Sequence, residues 1–386
     1  MTAITTLPPP AARLDTLLSQ KMKFWSLVAM VLLIYVHAFN LHPRYLQPWT
    51  QVEEGLTLGT GLQYFLANGL LRFRIPILFA ISGYLFARRE GLEPHGQRVR
   101  RRLRTLGLPY LLWSGLWLGV LWLLEQYPIS RQAVIDAEIS PFWPRQLLSQ
   151  YSGGELLSRW LLIPAPFQLW FLRSLLVYNL VYPWLRQAIE RRPALYFGIA
   201  GVLWFTMLPL PLVQGEGLLF FGLGVWLARS RHEVQTPPRW FRLGPCAALW
   251  IGTAALKTWL AFQTGTELQW PTVLGMITLH RLGELSGMLT AWFGLDWLVR
   301  SAMARGWFRW LTGFSFIIYV LHVPLVNYAT ELALRYGRAI PHIHLLTYLL
   351  LPLFIVLVAV AFGAVLRRVL PDVYAVLTGG RGLATS

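Results

Sequence analysis

Two histidines and several charged residues sit inside stretches that otherwise read as lipid-soluble. His37 lies in "VLLIYVHAF" (31–39), Arg72 and Arg74 open "RFRIPILFAISGYLF" (72–86), and Arg173 lies in "LWFLRSLLVYNLVYP" (169–183). His322 falls in "SFIIYVLHVPL" (315–325), while Lys257, Arg281 and Glu284 interrupt two further apolar runs. A charge at mid-membrane costs about 2.5–3.5 kcal/mol by insertion scales, so each needs a partner or a use. The residue types name the use. An imidazole, whose ordinary pKa lies near neutrality, moves protons, and it enters a membrane at lower cost than a carboxylate. Arginine stabilises a developing oxyanion or holds a phosphate.

Spacing adds a second argument. His37, Arg74, Arg173, His322, Lys257 and Glu284 each lie about 13–16 positions from the nearest basic residue flanking their run, roughly 20 Å at ~1.5 Å per helical residue. Six residues at one depth on different helices predict a shared wet interior. The alternative for any one of them is a buried structural pair, such as Arg281 with Glu284 at i,i+3.

These groups require long apolar helices to carry them, and the composition supplies them. Hydrophobic residues make up 55 % of the 386, charged residues 13 %, and there are 19 Trp. Mean hydropathy is +0.49. A polytopic, all-α transmembrane helix bundle is expected. Apolar runs occur at 24–41, 62–87, 106–124, 160–183, 195–213, 217–228, 243–263, 272–298, 308–334 and 344–366, giving about ten spans. The pair 195–213 and 217–228, interrupted by "PLPLVQGEG", is either two short spans or one re-entrant hairpin.

The net charge of +17 points away from nucleic acid once its placement is read. With the N-terminus inside, Arg13, Lys21 and Lys23, the run Arg88–Arg104, Arg186–Arg192, Arg229–Arg242, Arg300–Arg309 and Arg367–Arg381 all fall on inner segments. Only Arg44, Arg131, Arg145, Arg159, Arg335 and Arg338 fall outside. This positive-inside pattern predicts cytoplasmic N- and C-termini and membrane lipids as the surroundings. Residues 1–20 read as a flexible tail, 21–370 as the membrane domain and 371–386 as a C-terminal tail. Lys21 and Lys23 before the first apolar run imitate a signal peptide, but no small-residue cleavage pattern follows, so a retained span is expected. The single cysteine, Cys246, rules out an intramolecular disulfide framework. "GLWLG" (115–119) matches the small-xxx-small packing pattern. The outer segment 125–159, with Asp136, Glu138 and Glu155, reads as a connector or a contact for an external substrate.

Taken together, the first span with His37, Arg72-x-Arg74 leading into Ser82-Gly83-Tyr84, the "LWFL" block and the Ser315…Tyr319…His322-x-Pro324 pattern resemble the acyltransferase 3 family of integral-membrane acyltransferases. The likeness covers nearly the whole chain. It implies transfer of an acyl group, commonly acetyl from cytoplasmic acetyl-CoA, to a hydroxyl of a glycan facing outside, in a bacterial inner membrane and without a metal. The family's first-span histidine falls on His37 and its Arg-x-Arg pair on Arg72 and Arg74. Many members carry an arginine eleven positions before that histidine; here it is Ser26, and Lys23 is the nearest cation that could stand in.

Attack of a hydroxyl on a thioester needs a base for the hydroxyl proton and donors for the oxyanion. His37 is expected as the base, with Arg72 or Arg74 as oxyanion donor. On a regular helix those two arginines point about 200° apart, so only one reaches a given group. Ile75-Pro76 is expected to open the helix beside them. Trp170, Arg173, Tyr319, His322 and Glu284 are candidates for positioning donor or acceptor. Arg88, Arg89, Arg98 and Arg101, around "RVRRRLR" (98–104), are candidates for the CoA phosphates, or else topology determinants. The rival reading is a transporter or flippase for an anionic or glycan substrate, which paired broken helices and internal pseudo-symmetry would favour.

Overall fold

The computed structural model describes residues 15–136, 147–210, 212–230, 232–263 and 269–383. Residues 1–14, with Arg13, lie outside the described residues, as do Glu138, Arg145 and Arg231. Within that set every regular element is helical.

Five helices are long and apolar enough to cross a membrane: α1 (Thr16–His37), α2 (Leu58–Arg88), α3 (His95–Leu124), α14 (Ser315–Tyr336) and α15 (Ile343–Val369). Between α3 and α14 lie shorter or more polar helices. These are α4 (Pro128–Asp136), α5 (Gly153–Leu161), α6 (Trp170–Leu180), α7 (Tyr182–Arg191), α8 (Pro193–Thr206) and α9 (Gly215–Arg229). There follow α10 (Leu243–Ala261), α11 (Trp270–Gly294), α12 (Asp296–Ala304) and α13 (Gly306–Thr312), and after α15 a last helix, α16 (Pro371–Thr378).

The expected span at 160–183 is divided into α5, one tight turn at Phe167–Leu169, and α6. Pro164 and Pro166 explain the break, because neither offers an N–H and each pushes its predecessor out of helical geometry. The segments around "PLPLVQGEG" form two packed helices of 14 and 15 residues, α8 and α9. At ~1.5 Å per residue each is about 21–22 Å long, short for a straight crossing.

Glycine sets the closest helix contact. A Cβ on Gly83 would overlap the Phe221 carbonyl, and one on Gly224 would overlap the Ala80 carbonyl. Helices α2 and α9 therefore pack backbone against backbone, which only a missing side chain allows. The "GLWLG" pattern does not mark such a contact: Gly115 faces the Trp160 indole and Gly119 faces open space.

The described residues after α15 pack on α3. Trp113 Nε1 donates to the Leu377 carbonyl at 2.9 Å, and Arg381 donates to the Thr105 carbonyl at 2.7 Å, which docks α16 and its turn on α3. On α1, Lys21 is buried and pairs with Asp296 at 2.6 Å, while Lys23 is exposed and has no ion pair among the described residues. Lys23 thus does not replace the arginine absent at Ser26, whose hydroxyl donates to the Met22 carbonyl of its own helix at 2.7 Å.

Candidate active site

Three irregular points in the helices converge on His37: the end of α1, a widened turn in α2 and a kink in α14. His37 is the last residue of α1. Its ring meets Phe167 edge-on at 4.9 Å and His322 at 5.4 Å between centroids. Among the described residues neither ring nitrogen has a hydrogen-bond partner. A small cavity opens beneath the ring, lined by Met30 and Leu33 of α1, Ile75 and Leu78 of α2, and Gln168, Trp170 and Tyr319. About 20 Å³ of it is open to the centre of a water-sized group, enough for a single one.

The α14 kink follows from Pro324. A proline has no N–H for the carbonyl four residues back, and Val323 leaves helical geometry (φ −110°, ψ 135°). The freed groups are taken by side chains. Trp117 Nε1 donates to the Val320 carbonyl at 3.0 Å, and Gln168 Nε2 donates to the Val323 carbonyl at 2.7 Å. His322 Nδ1–H donates to the Tyr319 carbonyl at 2.7 Å. That bond fixes the tautomer, leaving His322 Nε2 as an acceptor with no partner among the described residues. The Tyr319 hydroxyl donates to the Gln168 carbonyl at 2.7 Å, tying the kink to the turn that carries Phe167.

In α2 the opening lies upstream of the arginines, not at Ile75-Pro76. Residues Phe65–Gly69 form one wide π-type turn and Leu70–Phe73 a tight 3₁₀ turn, after which regular helix resumes at Arg74. Pro76 falls in the first turn of that resumed segment, where its missing N–H costs little. Side chains again hold the loosened carbonyls. Arg72 Nε donates to Ala67 O at 3.0 Å, Lys257 Nζ to Asn68 O at 2.7 Å, Trp250 Nε1 to Leu70 O at 3.1 Å and Arg74 Nη1 to Leu71 O at 2.6 Å. Arg74 Nε is buried without a partner. The regular-helix angle between Arg72 and Arg74 does not apply across this junction, and both guanidinium groups act electrostatically on His37 together with His322.

A second charged cluster adjoins the first. Lys257 Nζ donates to His280 Nδ1 at 2.7 Å, and His280 Nε2 lies 3.2 Å from Glu284 Oε1. Arg281 Nη1 and Trp204 Nε1 reach Glu284 Oε2 at 2.7 and 3.1 Å. Arg281 with Glu284 is thus the buried i,i+3 pair, and the Glu284 carboxylate is occupied by three protein donors. Glu216 of α9 and Glu284 are the acidic groups that act on Arg72 and Arg74.

Of the candidates read from the sequence, His37, Arg72, Arg74, His322, Tyr319 and Trp170 come together, and Lys257 and Glu284 form the cluster behind them. Arg173 does not join either group: it donates to the Leu162 carbonyl and faces Tyr110. Gln168, Trp117, Glu216, His280 and Asn68 were not singled out from the sequence. Glu216 is signalled by the break in "PLVQGEG" and His280 by its place beside Arg281; the roles of Gln168, Trp117 and Asn68 arise only from helix breaks.

The basic candidates form a separate group. Arg98 is buried with its guanidinium 5.3 Å from both the Phe86 and Tyr182 rings, and its Nε and Nη1 have no hydrogen-bond partner among the described residues. Arg102 stacks 5.2 Å from Phe86, also with an unpartnered Nε. Arg101 pairs with Glu93, Arg88 stacks on Tyr84 at 5.9 Å, and Arg89 is exposed. Arg381 joins from the chain end, and burial pushes its guanidinium down to about 10. Arg89, Arg101 and Arg381 all press their charge on Arg102, with Glu93 the acidic group opposing them.

The acyltransferase-domain family profile matches residues 27–368, which takes in His37, both charged clusters behind it and the α14 kink, but not Arg381. The chain belongs to the acyltransferase 3 family. This acyltransferase is also similar to the succinoglycan biosynthesis protein ExoH of Rhizobium meliloti (strain 1021), 28 % identical over 346 residues and 88 % of each chain. No solved structure matches it.

Proposed function

We propose that this acyltransferase is a multi-pass protein of the bacterial inner membrane that carries an acyl group, acetyl in the first instance, from cytoplasmic acyl-CoA to a hydroxyl of a polysaccharide. The likeness to a succinoglycan biosynthesis protein supports the polysaccharide acceptor. One observation carries the mechanism: among the described residues both nitrogens of the His37 imidazole are free of hydrogen-bond partners, with His322 at 5.4 Å and Arg72 and Arg74 near enough to act on the ring electrostatically.

In the reaction His37 takes the proton of the acceptor hydroxyl as its oxygen attacks the thioester carbonyl. Arg72 and Arg74 stabilise the tetrahedral oxyanion. Collapse breaks the carbon–sulfur bond, and the departing CoA thiolate receives the proton from His37. His322, beside His37, holds the ring from one side. Arg98 and Arg102, whose buried guanidinium donors lack partners among the described residues, take the CoA phosphates, with Arg88, Arg89, Arg101 and Arg381 adding positive charge near them. Ten spans with both termini cytoplasmic put this basic group on the donor side, as the positive-inside pattern requires.

Broken helices would also suit a transporter. Here the carbonyls freed in α2 and α14 are taken by Arg72, Arg74, Lys257, Trp250, Trp117, Gln168 and His322, so the breaks are filled by protein rather than open to cargo.

Membrane vesicles of both orientations, given labelled acetyl-CoA and an oligosaccharide, test the reading. Transfer only when acetyl-CoA meets the cytoplasmic face supports it. Transfer from the outer face alone, or none from any acyl-CoA in a protein that moves the glycan itself, overturns it.

A further inference from the structure

A chain of aromatic rings runs from His37 to the surface. Phe167 meets His37 at 4.9 Å, Tyr45 meets Phe167 at 6.4 Å and 69°, and Tyr45 is 38 % exposed. Both Phe167 and Tyr45 lie outside the long helices: Tyr45 in the connection that follows His37, Phe167 in the tight turn tied to α14 by Tyr319. The Tyr45 hydroxyl has no hydrogen-bond partner among the described residues, and Arg72 lies close by, its Nη2 donating to the carbonyl of the adjoining Leu46 at 3.4 Å.

The other side of His37 differs. The small cavity beneath the ring is walled by Leu33 and Met30, one and two turns back along α1 toward its start, and by Ile75 and Leu78. His37 therefore stands between a cavity with room for one water-sized group, closed on its far side also by Gln168, Trp170 and Tyr319, and an aromatic path leading to the surface.

We propose that Tyr45 and Phe167 form the acceptor subsite, the part-exposed Tyr45 ring a stacking face for a pyranose and Phe167, set at 69° to it, the side wall toward His37, with the Tyr45 hydroxyl and Arg72 bonding the ring's hydroxyls. A pyranose presents a face of C–H bonds and an edge of hydroxyls, and it is recognised by an aromatic face flanked by polar donors. A pyranose stacked on Tyr45 and abutting Phe167 sets a ring hydroxyl toward His37, whose imidazole lies edge-on to the same phenyl group. A small acyclic alcohol reaches His37 without stacking and gains nothing from the platform. The proposal rests on the acyltransferase reading for its catalytic arm and stands without it for its binding arm.

The test compares cellotetraose with glycerol as acceptors, using purified full-length protein in nanodiscs and acetyl-CoA as donor. Tyr45→Ala is expected to raise the KM for cellotetraose at least ten-fold and to lower the cellotetraose-to-glycerol ratio of kcat/KM by a similar factor. Tyr45→Trp, which keeps an aromatic face, restores most of that ratio. An unchanged ratio in Tyr45→Ala, or an equal loss for both alcohols, overturns the platform. Calorimetric titration of cellotetraose without donor separates the two readings. Binding that weakens at least ten-fold in Tyr45→Ala supports the platform even if no acyl-CoA is turned over. Equal binding by both proteins, or none by the wild type, overturns it.

Discussion

Replacing Lys257 with methionine separates position from stability in this site. Lys257 is 1 % exposed, and its ammonium bridges Asn68 O and His280 Nδ1, both at 2.7 Å. Methionine keeps nearly the same length and fills the same space, so no cavity forms. Two charge-assisted bonds are lost, about 1.5–3 kcal/mol each. Against this, a buried ammonium no longer has to be desolvated, which costs about several kcal/mol in an apolar interior. The two effects nearly offset, and the melting temperature is expected to move by only a few degrees. Catalysis responds differently. Asn68 O belongs to the wide turn of α2, and the neighbouring Ala67 O anchors Arg72. Without the lysine that turn relaxes, and a displacement of about 1 Å in a catalytic donor costs about 10²-fold. The expected result in a detergent-purified acyl-transfer assay is a 10- to 100-fold fall in kcat, on the order of the misplacement cost, with the KM for acetyl-CoA within three-fold. A kcat within two-fold of wild type in a folded Lys257→Met protein would refute the positioning argument.

Two further expectations follow from the packing and the charges. Gly83→Leu puts a side chain into the Phe221 carbonyl, so α2 and α9 must separate; the protein should lose its folded, monodisperse peak in fluorescence-detected size-exclusion chromatography, whereas Gly119→Leu, facing open space, should keep it. Replacing Arg98 and Arg102 together with glutamine removes buried donors that have no protein partner; the KM for acetyl-CoA should rise at least ten-fold with kcat within three-fold, while dephospho-CoA thioesters should lose less.

The helical class and the long apolar spans were legible because composition and run length depend on one residue at a time. So was the gathering of His37, Arg74 and His322, since depth along a straight helix can be counted. The count failed for Arg173 because depth says nothing about which way a helix turns its face. It also failed at 160–183, where Pro164 and Pro166 divide the run. The site's finer structure lay beyond the sequence for one reason. Gln168, Trp117, Trp250 and Asn68 matter only because α2 and α14 leave regular geometry and free carbonyls that something must satisfy. Pro324 announced one of those breaks. The wide turn at Phe65–Gly69 contains no proline and gave no comparable sign. The tight turn Leu70–Phe73 that follows it ends between the two arginines, so the angle a regular helix would impose on Arg72 and Arg74 does not apply.

The account turns on His37 as the base, and a rate comparison reaches it most directly. Purified wild-type, His37→Ala and His37→Gln proteins are assayed for transfer from acetyl-CoA to an oligosaccharide, with folding checked by size-exclusion chromatography. Both variants should lose about 10²–10⁴-fold in kcat, the usual contribution of a general base, with the KM for acetyl-CoA within three-fold. Turnover by a folded His37→Ala protein at a rate near wild type would contradict the mechanism.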